Sequence, residues 1–256
     1  MNVTLRYLNP AGNITAVVLT PVERSQRAGL ARAIMAEGRA EQVGFMEEPQ
    51  MGGACRLEMM GGEFCGNAVR SYGLLYALAQ GRAQQVPVEI SGAEAPVPVT
   101  ADPAAGTAYA DMPLPLELRQ LEVLGKRYPL VMCQGICHLL ALEQGPDPAF
   151  LEAARPKLNA LGQEAWGLMF LEGQQLTPAV YVTGTDSLVW ESSCGSGSVA
   201  CGWYLARQPG GGESYRFREP GGEIQVTVSR RNGVMTGCTM GGPVTVGPQE
   251  CFAWEN

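Results

Sequence analysis

One local frame occurs twice in this chain. Gly61-Gly-Glu-Phe-Cys65-Gly-Asn-Ala-Val-Arg-Ser-Tyr-Gly-Leu-Leu-Tyr and Trp190-Glu-Ser-Ser-Cys194-Gly-Ser-Gly-Ser-Val-Ala-Cys-Gly-Trp-Tyr-Leu each set a Cys-Gly dipeptide and small residues ahead of an apolar stretch that reads as a helix. The two cysteines lie 129 positions apart in a chain of 256 residues. Repetition continues around them in order. Gly12-Asn-Ile-Thr-Ala-Val-Val-Leu is similar to Gly135-Ile-Cys-His-Leu-Leu-Ala-Leu, and each is followed by an amphipathic helix and then a strand (Val43-Gly-Phe-Met-Glu; Gly167-Leu-Met-Phe-Leu-Glu). Such a duplication restricts the chain to two similar halves, with equivalent elements expected to face each other across a cleft. The break is expected near Met112 to Leu118, where Pro113 and Pro115 interrupt regular structure. That gives an N-terminal lobe over 1–115 with Cys65 and a C-terminal lobe over 116–256 with Cys194. The segment Gly237-Cys-Thr-Met-Gly-Gly-Pro-Val-Thr-Val is expected to cross back to the first lobe.

Composition narrows the class. At 46% hydrophobic and 17% charged, the chain can bury a large core. Its net charge of −7 lacks the basic footprint of a nucleic-acid binder. Its first ten residues hold no basic region ahead of an apolar run, and no apolar stretch approaches a membrane span. The expectation is a soluble cytoplasmic protein with neither nucleic acid nor membrane as partner, and with a homodimer open to it. In that compartment the eight cysteines serve as core residues, catalysts or ligands rather than disulfides. Val86-Pro-Val-Glu-Ile, Val97-Pro-Val-Thr, Ile224-Gln-Val-Thr-Val and Pro243-Val-Thr-Val read as strands. The internal prolines assign the first two to sheet edges. Helical spacing marks Glu23 to Glu37 and Asp147 to Leu161. Asp147 and Pro148 form an N-cap and N1 pair, and Pro156 is expected to kink or end that helix early. The whole reads as a β-rich α+β protein with about four helices.

A cysteine just before a helix start is chemically useful. The first turn offers unpaired N–H groups and a partial positive charge, which favour a thiolate and bind anions such as a carboxylate. The small residues Gly66, Asn67 and Ala68, and Gly195, Ser196, Gly197 and Ser198, let a ligand reach the backbone. Two such ends would hold the α-carboxylate of an amino acid and set one sulfur on each side of its Cα. One thiolate then removes the α-proton while the other thiol protonates the opposite face. That proton is a very weak acid in water, so the site must be preorganised and dry. For Cys55, Cys133, Cys137, Cys201, Cys238 and Cys251 the expectation is buried packing, with Cys201 on the helix face of Cys194.

Rival motifs are weaker. Gly195-Ser-Gly-Ser-Val-Ala200 fits a short dinucleotide pattern, but the halves do not build a parallel βαβ sheet. Cys133, Cys137 and His138 lack a second ligand pair at zinc spacing, so no metal is expected. A hydrolase triad would have to use His138, the only histidine. Lys126 and Lys157, the two lysines, lie in a charged turn and on a polar helix side, which argues against pyridoxal phosphate, and no cofactor is expected.

The frames resemble the diaminopimelate epimerase-like family of cofactor-independent racemases and epimerases, and the resemblance covers nearly the whole chain. Asn9-Pro-Ala-Gly-Asn13 resembles its N-terminal Gly-Asn motif. Cys65-Gly-Asn-Ala and Cys194-Gly-Ser-Gly resemble its two thiol motifs, and Gly241-Gly-Pro-Val-Thr-Val resembles its closing strand. The resemblance implies two pseudo-symmetric lobes, each a β-barrel-like sheet around a central helix, with Cys65 and Cys194 as interchangeable acid and base. Candidate substrate-binding residues are Asn13, Gly66, Asn67, Gly195, Ser196, His138 and Glu191. The family's ligands for the far end of diaminopimelate have no counterpart in Leu57-Glu-Met-Met-Gly-Gly, Ile136-Cys-His138, Gly167-Leu-Met-Phe170 or Thr183-Gly-Thr-Asp-Ser. Missing partners disfavour that substrate. Gly-Gly-Glu-Phe-Cys65-Gly-Asn-Ala and Glu191-Ser-Ser-Cys-Gly-Ser-Gly look more like the histidine racemases of opine-type metallophore biosynthesis. The alternatives are diaminopimelate epimerisation, racemisation of another amino acid, and a non-catalytic amino-acid-binding relative. Glu47 and Glu58 are carboxylates available to an imidazole, although no motif places them and each reads first as solvated.

Two sulfurs serving one Cα can form a disulfide only if their Cα atoms come within roughly 4.4–6.8 Å. Air oxidation of the empty protein is expected to abolish activity, with reductant restoring it and substrate protecting it. Peptide mapping should find Cys65 joined to Cys194; a link to Cys201 or Cys55 would mean the wrong thiols are paired.

Overall fold

Strands dominate the computed structural model, which describes residues 1–255. Among the described residues there are eighteen strands and four α-helices, an α+β protein as the turn-rich sequence implies. No helix among them is long and apolar enough to cross a membrane. The chain divides into two compact units. Unit 1 is Met1–Asp111 with the segment from Gly241 onward, and unit 2 is Met112–Met240.

Unit 1 runs β1 (Asn2–Asn9), β2 (Thr15–Val18), α1 (Arg24–Ala36), β3 (Gln42–Glu47), β4 (Cys55–Met59), α2 (Gly66–Gln80), β5 (Gln84–Ile90), β6 (Val97–Asp102) and β7 (Thr107–Met112). Strands β2 and β3 are parallel, β3 and β4 antiparallel, and β4 and β5 parallel. Helix α2 supplies Ala68, Val69, Leu74 and Ala77 to a core with Leu57, Val86, Val88 and Val99. Helix α1 packs Leu30, Ala31 and Ile34 on Val3, Ala16, Val18 and Phe45.

Unit 2 opens with β8 (Glu117–Val123) and β9 (Lys126–Met132), then runs β10 (Ile136–Leu142), α3 (Pro148–Asn159), β11 (Ala165–Glu172), β12 (Gln175–Val182), β13 (Ser187–Trp190), α4 (Gly195–Ala206), β14 (Ser214–Glu219), β15 (Gly222–Arg231) and β16 (Val234–Pro243). Its pairing order echoes unit 1: β10 and β11 parallel, β11 and β12 antiparallel, β12 and β14 parallel. The chain then re-enters unit 1 and closes with β17 (Thr245–Val246) and β18 (Glu250–Ala253), both antiparallel to β1. The returning segment is held from inside. Arg70 of α2, fully buried, donates to the carbonyls of Gly242 (3.2 Å) and Pro243 (3.3 Å). Gly241 packs so closely on β7 that a Cβ there would lie 2.2 Å from the Ala108 carbonyl oxygen.

Local expectations meet three outcomes. Asp147 caps α3 as read, accepting the N–H groups of Ala149 and Phe150 with Pro148 in the first turn. Pro156 does not end that helix, which continues to Asn159. The proline strands are not edges: β5 lies between β4 and β6, and β6 between β5 and β7. Pro87 and Pro98 are directly opposed in the β5–β6 register. Two prolines have no N–H to exchange, so the pair occupies a non-hydrogen-bonded position, with both missing donors on the outer flanks. On those flanks the neighbouring ladders begin one residue later, at Val88 and Val99.

A closer correspondence links the two cysteine helices. Gly73 in α2 and Gly202 in α4 both lie eight residues after their cysteine. A Cβ on Gly73 would sit 2.7 Å from Val99 Cγ1 of β6, and one on Gly202 would sit 2.7 Å from Val226 Cγ1 of β15. Each glycine lets its helix dock on a core valine. Gly73→Ala is expected to destabilise the protein by about 1–3 kcal/mol in chemical denaturation, the usual cost of overpacking. Combined with Val99→Ala, which reopens the space, the cost should be well below the sum of the two single changes.

Candidate active site

In both units the cysteine is the N-cap and the following glycine is the first helical residue. The caps share an extended backbone, φ −129° and ψ 111° at Cys65, φ −127° and ψ 103° at Cys194. A small residue is needed just behind the second thiol. A Cβ on Gly197 would lie 2.2 Å from Met169 Sδ and 3.3 Å from Cys194 Sγ.

The surroundings of the two sulfurs differ. Cys65 Sγ accepts the Ala68 N–H at 3.4 Å, so the thiol itself caps α2. The Gln42 side-chain amide also reaches it, at 3.3 Å, and lies near Asn13 Oδ1 (2.8 Å) and Thr15 Oγ1 (2.9 Å). An NH2 group has two hydrogens, so three acceptors share them. Asn13, half-buried, gives its own amide N–H to Glu41. Asn67 turns its side chain inward, where Oδ1 accepts from Arg70 Nε at 3.2 Å. Burial pushes the Cys65 thiol up; the Ala68 N–H, the Gln42 amide and the Asn67 N–H pull it back, and Glu63 adds a push upward.

Cys194 is buried and its sulfur forms no capping hydrogen bond. Ser196 Oγ lies 3.7 Å from the sulfur and 3.0 Å from His138 Nε2. His138 is fully buried on β10, opposite Gly167 of β11 in the parallel register. Gly167 leaves room for the ring, since a Cβ there would lie 2.4 Å from His138 Nδ1. Glu219, which ends β14, accepts the Cys194 N–H at 2.7 Å and also receives the Ser198 hydroxyl. Burial drives the Cys194 thiol well up, and Glu191 and Glu219 add to it. The Gly197 N–H and the Ser196 hydroxyl act the other way.

The structure therefore gathers Asn13, Gly66 and Asn67 around Cys65, and Gly195, Ser196, His138 and Glu191 around Cys194. Glu47 and Glu58 are corrected from solvated carboxylates to ion-paired ones. Glu58 meets Arg24 at 2.9 Å and Arg27 and Arg56 at 3.8 Å, while Glu47 pairs with Arg27. Arginines from α1 and β4 thus occupy both groups. Among the other cysteines, Cys55, Cys137, Cys201 and Cys238 are buried as expected and Cys133 is half-buried, but Cys251 is exposed on β18 because its phase in that strand faces outward.

Comparison with known proteins places this geometry. The family model described as histidine racemase CntK N-terminal domain matches residues 2–250. The chain belongs to that family. A histidine racemase of Fusobacterium nucleatum subsp. nucleatum is 32% identical over 216 residues, covering 78% of this chain and 80% of the relative. A histidine racemase of Staphylococcus aureus is 28% identical over 246 residues, covering 87% of each. A phenazine biosynthesis protein of the PhzF family from Bacillus anthracis shares the fold at TM-score 0.72 and 9% identity, over 99% of this chain and 100% of that one.

Within this member of the CntK N-terminal domain family, two groups at the thiols escaped the sequence reading. Gln42 opens a strand and carries no motif. Glu219 did leave a signal: Tyr215, Phe217 and Glu219 share the inward phase of an alternating strand, which puts a carboxylate where an apolar residue belongs.

Burial holds His138 neutral, pushing its titration down to about 3 from an ordinary 6.5. In the unfolded chain the ring takes up a proton below about pH 6.5, and in the fold it does not. Its contribution to stability is thus complete above that value and declines as pH falls, by up to about 1.4 kcal/mol per pH unit. Urea denaturation of His138→Asn should show a flatter acid-side decline between roughly pH 6.5 and pH 5, above the ordinary carboxylate range. An unchanged slope would place the proton uptake elsewhere.

Proposed function

We propose that the chain is a cofactor-independent amino-acid racemase acting on histidine, with Cys65 and Cys194 as its acid and base. The family match over residues 2–250 carries the reading. The paired N-cap thiols support the chemistry, since inversion at Cα needs one group to remove a proton and another to deliver one to the opposite face. The sulfur of one cysteine takes the α-proton as the S–H of the other gives its proton. The N–H groups at the starts of α2 and α4, from Gly66, Asn67, Gly195 and Ser196, are of the kind that bind the substrate carboxylate and steady the charge that develops beside it. Asn13 is read as a further substrate contact, Glu191 as a carboxylate at the Cys194 end, and His138 as the group that orients the Ser196 hydroxyl.

The finer architecture belongs to the same reading. Units 1 and 2 are taken as pseudo-symmetric lobes, each a barrel-like sheet around α2 or α4. The repeated order of parallel and antiparallel pairs and the matched contacts of Gly73 and Gly202 support it.

Purified protein incubated with L-histidine in deuterated water should exchange the α-hydrogen and lose optical rotation. Faster turnover of diaminopimelate would move the substrate and leave the chemistry, whereas tight calorimetric binding without exchange would mark a non-catalytic relative. Cys65→Ser and Cys194→Ser should each lower racemisation by about a hundredfold or more, the scale of lost acid–base catalysis. Each should still eliminate the leaving group from a β-halo substrate of one hand, where a single base suffices. Near wild-type racemisation by either variant would overturn the two-thiol reading.

A further inference from the structure

The two caps use their helix ends differently. In unit 1 the helix N–H groups face the sulfur: Ala68 donates to Cys65 Sγ, and the Gln42 amide adds a second donor. In unit 2 a carboxylate has moved under the corresponding turn. Glu219 is 5% exposed, and its two oxygens take the backbone N–H of Cys194 and the hydroxyl of Ser198. A carboxylate that receives these donors fixes the cap from behind and sets negative charge within one residue of the sulfur. Glu191, half-buried and three residues before Cys194, adds a second acidic group facing it. The groups opposing them are the Gly197 N–H, the Ser196 hydroxyl and, beyond that hydroxyl, the neutral His138 ring. At Cys65 the facing acidic group is Glu63, which is exposed.

We propose that Glu219 is a positioning residue that makes the two thiols unequal: it holds Cys194 as the protonated thiol, and Cys65, served by Ala68 and Gln42, is the first of the two to ionise. This rests on the two-thiol reading and adds a direction to it. The free protein is set for the enantiomer whose α-hydrogen faces Cys65. In that turnover the Cys65 sulfur gains the Cα proton and Cys194 gives its S–H proton to the other face. The protein is left with a Cys65 thiol and a Cys194 thiolate. The Glu219 and Glu191 charges raise the energy of that second form, so loss of the Cys65 proton to solvent and uptake of one by Cys194 is the favourable return.

The test reads the thiols and not the turnover. Empty protein is labelled with iodoacetamide over a pH series, and the rate at each cysteine is followed by peptide mass spectrometry. Accessibility sets the height of each rate curve, and the proton equilibrium sets its midpoint. Cys65 should have the lower midpoint. Glu219→Gln keeps an acceptor for the Cys194 N–H and removes the charge. It should lower the Cys194 midpoint by about one pH unit, a tenfold faster labelling at a fixed pH below it, and leave the Cys65 midpoint in place. If Glu219→Gln does not fold cooperatively, Ser198→Ala probes the same carboxylate by removing one of its donors, and the Cys194 midpoint should then rise. A wild-type midpoint for Cys194 at or below that of Cys65, or a Cys194 midpoint that stays put in the folded variant, would overturn the proposal. Absence of α-hydrogen exchange with any amino acid would instead strike at the racemase reading, and the labelling order would stand apart from it.

Discussion

Contact of a helix with a sheet at a bare glycine is the constraint on which the rest of this structure depends. Gly73 and Gly202 let α2 and α4 settle against Val99 and Val226 at distances that no side chain permits. A helix docked that closely has little freedom to slide or roll, so its N-terminus is fixed by the core and not by the loop before it. The thiol is the residue at that N-terminus. Position of the sulfur is therefore a product of apolar packing two turns away, and the loops ahead of it are free to carry specificity.

The repeat has been kept in the backbone and altered in the side chains. Gly12 and Gly135 both take positive φ, 90° and 74°, ahead of a parallel strand pair. Three residues on, Thr15 and His138 are each fully buried. Across the ladder, Thr15 faces Gln42 and His138 faces Gly167. In one unit a small residue on the first strand leaves room for a long amide on the second. In the other the first strand carries the large ring and the second carries none. Each arrangement delivers one polar nitrogen toward its thiol, directly through Gln42 or by way of Ser196 through His138. Bulk is divided differently between the paired strands of each unit, a trade that close packing imposes on a duplicated core.

Much of this was legible in the chain. The Cys-Gly frames were readable because a helix start needs small residues there, and the Asp147 cap because its chemistry is local. Family membership followed from those frames and from the closing Gly-Gly-Pro-Val segment. What escaped depends on partners far away in sequence. Glu47 and Glu58 looked like solvated carboxylates until α1 and β4 brought arginines to them. Pro87 and Pro98 looked like edge markers, and only the register shows them opposed at a non-hydrogen-bonded position, where neither strand needs the other's donor. Gln42 and Glu219 act on thiols 23 and 25 positions away, and no spacing rule links them.

Arg70 carries a consequence for the order in which the protein matures. Its guanidinium is buried in α2 and finds carbonyl acceptors on Gly242 and Pro243. Until those residues emerge from the ribosome, α2 holds a cation with those acceptors missing, and β1 waits for β17 and β18. Every residue of unit 2 has by then been synthesised. Domains usually mature in the order of translation, yet here the later-made unit is the first that can be finished. The earlier one is sealed by a segment made after the whole of unit 2, so its thiol-bearing helix reaches its final packing only once that segment has emerged.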